Sequence, residues 1–284
     1  MASLTKIRGR ALLPLYDWPE YHAQTDALWA RIREAARDDG LDLPTKIEHR
    51  NHNVSAWMEG GLVFSQLCGS PWYRHHREHA RYLASSVLAL DGAPAGHYYS
   101  HVIVRSDSSL NALVDLGQKR GARFAYNESD SQSGVHCLRA YMNIDAQIAR
   151  GVHSGGHRHS IDAVLAGEAD FAAIDACSFR LYDALFPARV NGLRILAQTP
   201  LRPAPVLITS AELEGGVARR LQRAVLNALS GPDVSQAHYA FIGAVDLGVA
   251  PYAVFEHDLR ARPAPIEGRS TKGTFTRSKD HSGL

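Results

Sequence analysis

What most constrains this chain is a recurring order: a short apolar run ends in a turn of small or polar residues, and an amphipathic helical period follows. The run ALLPLY (Ala11 to Tyr16) stops at Asp17-Trp18-Pro19 and gives way to a helical period through Tyr21, Leu28, Trp29, Ile32 and Ala35, closed by Asp39-Gly40. Leu41 to His49 holds a weaker strand, Val54 to Glu59 predicts a helix stopped by Gly60-Gly61, and LVFSQLCG predicts a buried strand running into a glycine-bearing loop. GHYYSHVIVR (Gly96 to Arg105) predicts one long strand, after which Asp107-Ser108-Ser109 caps a helix through Leu110, Leu113 and Leu116. GARFAYNE, SDSQSG and VHCLRAYM read as strand, loop and helix; Ser160 to Leu165 reads as a helix closed by Gly167, and ADFAAIDA as a strand ending near Asp175. RILAQT, APVLITS and a helix from Glu214 to Leu229 complete the series. Repeated βα units of this length predict an α/β fold of parallel-type sheets covered by helices on both faces.

Size and composition remove other classes. With 284 residues the chain has room for two lobes or one large domain, and 45% apolar with 21% charged residues is globular usage. A formal net charge of +2 gives no bulk attraction for a polyanion, so no nucleic-acid partner is expected. Cys68, Cys137 and Cys177 are few and widely spaced, which fits neither a disulfide scaffold nor a zinc ribbon. No apolar stretch is long enough to span a membrane. The opening MASLTKIRGRALLPLYDWPE lacks the h-region of a signal peptide, so the expected location is the periplasm if a leader has been removed and the cytoplasm otherwise. The tail 261–284, which includes the string IEGR, is basic and rich in Ser, Thr and Gly and is expected to be poorly ordered.

In an open α/β sheet, ligands bind beyond the carboxyl ends of strands. The places to examine are therefore Tyr16-Asp17, Ser65 to Gly69 with Gln66, His97-Tyr98-Tyr99, Ser129 to Gly134, and Ile174-Asp175. SDSQSG is the sharpest, because hydroxyls and free N–H groups at a helix start form a seat for an anion; a Ser-rich cap reads equally well. His153, His157 and His159 flank Gly155-Gly156 before SIDAVLAG, either as ring donors to an anion or as an exposed loop. His75 and His79 stand at i,i+4, but without HExxH they read as a solvated face, and no metal centre or cofactor is expected. Cys137 and Cys177 read as small core residues, and Ser131 and Ser133 lack the GxSxG context of a serine hydrolase.

GHYYSHVIVRSDS, ARFAYNESDSQSG and GGHRHSIDAVLAGEADFAAIDA, with a weaker match in WMEGGLVFSQLCGS, resemble the phosphonate-binding, PhnD-like solute-binding proteins of ABC transporters, over roughly Leu12 to Phe255. The resemblance implies two Rossmann-like lobes joined by two crossovers, a type II periplasmic-binding fold, with the ligand in the cleft between them. It places one lobe at residues 1–103 plus 200–260 and the other at 104–199. It also implies that Ser131, Gln132 and Ser133 hold the anionic head of the ligand, that His157 is a further donor, and that Tyr98 meets the ligand from the hinge. Asp175 lies near the acidic residue that the family uses for a ligand ammonium, but two positions early, and Cys177 stands at the expected place. In the first lobe, His52-Asn53-Val54 replaces the family's aromatic contact. Aminophosphonate is disfavoured accordingly, and Tyr16 and Gln66 offer new contacts.

The functional expectation is a non-catalytic protein that captures phosphonate, phosphate or a phosphate ester and hands it to a permease. Two alternatives share the fold: a cytoplasmic enzyme resembling the thiamin-pyrimidine synthases, favoured by histidines clustered with Cys68 or Cys177, and a ligand sensor acting through protein contacts.

Overall fold

The computed structural model describes residues 4–49, 61–118, 121–139, 141–230 and 240–260. Two five-stranded sheets organise them. In the first, the strands run in the order Phe241–Val245, Ala80–Leu88, Val206–Ser210, Leu62–Leu67, Arg10–Ala11; in the second, Leu193–Gln198, Ser100–Arg105, Phe171–Asp175, Phe124–Tyr126, Val152–His153. Between them lies a two-stranded antiparallel ladder that pairs Tyr98 with Arg202 and His97 with Pro203. The chain thus passes between sheets twice, side by side, as two crossovers require.

Neither sheet is all parallel, which corrects the expectation from the βα alternation. Phe171–Asp175 is parallel to Phe124–Tyr126 but antiparallel to Ser100–Arg105, and Val206–Ser210 is antiparallel to both of its neighbours. The reason is topological: Ser100–Arg105 and Val206–Ser210 follow the crossovers, so each enters its sheet from the ladder and runs against the βα strands. The predicted long strand Gly96 to Arg105 breaks at Tyr99 for the same reason, with His97–Tyr98 in the ladder and Ser100–Arg105 in the second sheet. Ser100 and Thr199 fasten the two crossovers: Ser100 N–H donates to Thr199 Oγ1 and Thr199 N–H donates to the Ser100 carbonyl, each at 2.9 Å.

Helices His22–Asp38 and Gly215–Ala228 pack against each other on the first sheet. The second is started by Glu214, whose carboxylate accepts from Gly216 N–H and Val217 N–H at 2.7 and 2.9 Å, satisfying donors that a helix start leaves open. In the second lobe, helices His157–Leu165 and Ala176–Leu185 flank the Phe171–Asp175 strand. The helix predicted over VHCLRAYM is only a single 3₁₀ turn, His136–Leu138. Winding begins earlier, with Val135 N–H and His136 N–H both donating to the Ser131 carbonyl, but Val135 at φ −138° interrupts it. Leu41 to His49 is a two-residue strand, Leu41–Asp42, followed by a bridge from Glu48 to Leu12. The predicted helix Val54 to Glu59, the triplet His52-Asn53-Val54 and the tail 261–284 lie outside the described residues.

Burial of His101 has a consequence for stability. Its ring meets Tyr99 and Phe179 edge-on at 5.4 and 5.3 Å. Desolvation pushes the imidazole down to about 4, against a partial opposing pull from Asp175. An unfolded histidine protonates near pH ~6.5, so below that pH the unfolded chain takes up a proton that the folded chain refuses. The resulting stability is complete above about pH 6.5 and is lost as pH falls toward 4. His101→Phe should therefore raise the melting temperature relative to wild type at pH 5, by an amount corresponding to about 2 kcal/mol, with much less change at pH 8. Parallel pH profiles for the two proteins would show that His101 does not titrate this way.

Candidate functional site

The Phe171–Asp175 strand ends where its sheet meets the first lobe, and Asp175 is both its last residue and the cap of the next helix. Its Oδ1 accepts from Ser178 N–H at 2.9 Å and from the Tyr16 hydroxyl at 3.3 Å; its Oδ2 lies 3.3 Å from His157 Nε2. The carboxylate is buried, so these contacts are its solvation. His157 opens helix His157–Leu165, directly after Gly156. Gly155 before it has φ +74°, a left-handed conformation that suits glycine and swings the chain into the helix start. The start of one helix, through Ser178 N–H, and the first side chain of another, His157, therefore meet at one buried carboxylate.

The SDSQSG loop supplies the next group. Ser133 Oγ lies 2.9 Å from His157 Nε2, so one imidazole edge faces both the serine hydroxyl and Asp175. Ser131 is turned inward on its own loop: its N–H donates to the Glu128 carbonyl, and its Oγ accepts from Gly134 N–H at 3.0 Å. A Cβ at Gly134 would stand 1.8 Å from Asn127 Oδ1, so a side chain there would displace that amide. The Gln132 backbone N–H faces Cys68 Sγ across the cleft, and its side chain reaches Asp258 at 3.4 Å. Asp258 also takes a two-pronged ion pair from Arg202 on the crossover ladder.

Tyr98, on that ladder, is buried with its hydroxyl 3.8 Å from Cys68 Sγ. Tyr16, Tyr98, Ser133, His157 and Asp175 thus form one cluster where the second sheet, the crossover ladder and the turn after Leu12 meet, with Cys68 and Gln132 at its margin. Gln66 is directed into the first sheet, where its Nε2 donates to Ser86 Oγ at 3.1 Å while its Oε1 is buried without a protein partner. His153 is exposed beside Glu128, and His159 is exposed. Among the described residues, His75 and His79 gather no third ligating group. Sequence reading did not single out Asp258, Arg202 or the pairing of Tyr16 with Asp175; none of these carries a motif, and only the fold brings them together.

Burial sets the protonation of the cluster. It pushes the Tyr16 and Tyr98 hydroxyls well above the usual phenol range, with the Asp175 charge adding to the effect in both. It lowers His157 below the usual imidazole value, while Asp175 and the Ala173 carbonyl pull the other way. Burial also raises all three thiols, Cys137 to about 12, the reverse of what a nucleophilic cysteine needs. Near neutral pH the cluster therefore offers neutral O–H and N–H donors around one acceptor.

Contacts outside the cluster hold the lobes together. Arg158 donates to the Glu20 carboxylate at 3.0 Å and lies over the rings of Trp18 and Phe186, and the Tyr21 hydroxyl donates to the Leu181 carbonyl at 3.4 Å.

The model of phosphonate ABC-transporter periplasmic substrate-binding proteins matches residues 14–249. The chain belongs to this family. Its fold is that of two-lobed periplasmic binding proteins, and its family role is to bind a solute for a transporter. PhnD1 from Prochlorococcus marinus, in complex with methylphosphonate, is similar at TM-score 0.70 and 16% identity, over 88% of this chain and 97% of that one. A binding-protein component of an ABC phosphonate transporter from Pseudomonas aeruginosa is similar at TM-score 0.69 and 16% identity, over 91% and 88%. A Xanthomonas citri protein bound to ATP is similar at TM-score 0.65 and 16% identity, over 89% and 98%. No curated protein matches the chain in sequence. Among the described residues no helix is long and apolar enough to cross a membrane.

The Tyr16 contact is the direct tie between lobes within this cluster, so it is the one to remove. Tyr16→Phe should keep the fold, since the ring still packs edge-on against Phe241 at 6.0 Å, but deprive Asp175 of one donor. Small-angle scattering should then show a more open average shape in the absence of ligand; an unchanged profile would mean that closure does not depend on this hydroxyl.

Proposed function

We propose that the cluster binds a small phosphorus oxyanion in a monoprotonated form, and that Asp175 is the group that selects it. The observation behind this reading is a buried carboxylate set among the neutral donors Tyr16, Ser133 and His157. A carboxylate accepts hydrogen bonds and repels an anion, so an oxyanion beside it must bring its own proton. Phosphonate, phosphite and phosphate carry a P–OH near neutral pH, whereas sulfate carries none. Ser133, His157 and Tyr16 would hold the charged oxygens, with the start of helix Ala176–Leu185 adding favourable potential, and the P–OH would donate to Asp175.

In this reading Ser131 shapes the loop and Tyr98 closes the hinge side of the ligand. Gln66 stands behind the cleft as a polar group within the first sheet, and Gln132 ties the serine loop to Asp258. The moving bodies would be residues 1–103 with 200–260 against 104–199, turning about the crossover ladder. Cys177 favours a ligand without an ammonium group: its Sγ lies 3.8 Å from the Ala240 carbonyl, and its burial leaves it neutral. The raised thiols support binding without catalysis. The protein would act in the periplasm and pass the ligand to a membrane permease.

A thermal-shift panel of phosphate, phosphite, methylphosphonate, aminoethylphosphonate, a phosphate ester and sulfate tests this. A ligand at about a thousand times its Kd stabilises by about 4 kcal/mol, a shift of several degrees. The expected result is a response to phosphorus oxyanions with a small substituent and none to sulfate. Ser133→Ala and His157→Ala should each weaken binding by roughly tenfold to a hundredfold without unfolding the chain, and Asp175→Asn should let sulfate in. A wild-type response to sulfate equal to that for phosphonate would refute the role given to Asp175, and unchanged affinity in both donor variants would refute the site.

A further inference from the structure

We propose that Asp17, His22 and His49 form a divalent-metal site on the first lobe, suited to zinc. Asp17 lies in the turn after Tyr16, His22 is the first residue of helix His22–Asp38, and His49 follows the bridge from Glu48 to Leu12. One ligand atom from each, a carboxylate oxygen and two ring nitrogens, all lie within 4.8 Å of one another. Asp17 Oδ2 is 2.9 Å from His49 Nδ1 and 3.9 Å from His22 Nε2. Donors bound to a tetrahedral zinc at 2.0–2.1 Å stand roughly 3.3 Å apart, between these two values; the two rings stack at 4.0 Å and 18°, so one of them would rotate out of the stack for both in-plane lone pairs to reach the same ion.

Two further features fit a metal better than a hydrogen-bonded surface cluster. The Asp17 side chain is only 2% exposed, so a carboxylate has been taken out of water beside two imidazoles. The far nitrogen of His49, Nε2, is 3.3 Å from Asp26 Oδ1. With a metal on Nδ1, that nitrogen carries the proton and donates to Asp26, the arrangement by which an outer carboxylate orients a metal-bound histidine. His22 is 38% exposed, which opens the remaining coordination position to water. Two imidazoles and one carboxylate form a donor set that favours zinc over magnesium or calcium. No motif announced this site: His22 and Asp26 are one turn apart, but Asp17 and His49 join them only through the fold.

The site is independent of the anion-binding reading, and its test uses zinc alone. Equilibrium dialysis of the EDTA-stripped full chain against zinc, with bound metal counted by mass spectrometry, should give one saturable equivalent with a micromolar or tighter Kd. His22→Ala and His49→Gln should each abolish saturation at that concentration. Asp26→Ala should raise Kd by about tenfold while leaving the stoichiometry at one. Cobalt should give the intense visible absorption of a tetrahedral site in wild type and lose it in both histidine variants. Circular dichroism in EDTA confirms that each variant folds, and the double variant His22→Ala with His49→Gln controls for the other histidines of the chain. No saturable zinc on wild type, or the same equivalent retained by the double variant, overturns the proposal.

Discussion

The buried carboxylate of Asp175 is the charge around which the two lobes are arranged. An ionised group out of water needs donors, and here they come from three directions: the start of its own helix, the first residue of the neighbouring helix, and a tyrosine from the other lobe. Two of these belong to the second lobe and are fixed by local geometry. The third, Tyr16, comes from the other lobe. If the lobes open as proposed, closure would solvate Asp175 more fully and opening would return that task to water. In the proposed reading a ligand proton would take over part of the same work, so that one residue would serve both the closed state and selection of what is bound.

The ladder of His97–Tyr98 with Arg202–Pro203 makes this economy mechanical. Arg202 pairs across the ladder with Tyr98 and grips Asp258, which the Gln132 side chain also reaches. A turn about the ladder would thus be felt at the serine loop through Gln132 and at the cleft through Tyr98. Ser100 and Thr199 clasp each other just beyond it, so any turn about the ladder would have to move the two crossovers as a pair. Opposed crossover strands also account for much of the mixing in the sheets: Ser100–Arg105 is the reversed strand of the second sheet, and Val206–Ser210 is reversed in the first, joined there by Phe241–Val245 on the far side of Ala80–Leu88.

Much of the architecture was legible because strand ends are punctuated. Tyr16 and Asp175 fall at predicted strand ends, where the βα rhythm points, whereas Tyr98, Ser133 and His157 were singled out through the family resemblance; the fold brings all five together. The strand Ala80–Leu88 escaped notice because Ser85 and Ser86 interrupt its apolar run, although both are buried and satisfied, Ser85 by Tyr252 and Ser86 by Gln66. Phe241–Val245 is short, holds Gly243 at a bulge against Leu229, and points Ile242 outward, so its pattern resembles a loop. Gln66 also stands at a predicted strand end, and its side chain donates to Ser86 Oγ, a partner twenty residues along the chain that no local pattern announces. Partners such as Asp258 lie far along the chain from the groups they touch, and no local pattern encodes a contact of that kind.

Tyr16 and Asp17 are neighbours in the chain yet belong to different clusters, one facing Asp175 and the other facing His22 and His49. The turn that carries them lies between the bridge at Leu12 and the 3₁₀ turn Pro19–Tyr21. Whatever holds Asp17 in place also restricts where the Tyr16 hydroxyl can go. A metal there would pre-order the one lobe-one donor of the anion cluster and lower the entropy cost of closing around a ligand, with no contact between metal and ligand. The converse follows from linkage: a ligand that favours the closed position of Tyr16 would favour the metal by the same factor. The two sites would then be coupled through a single peptide unit, with the strength of coupling set by how mobile that turn is when neither is filled.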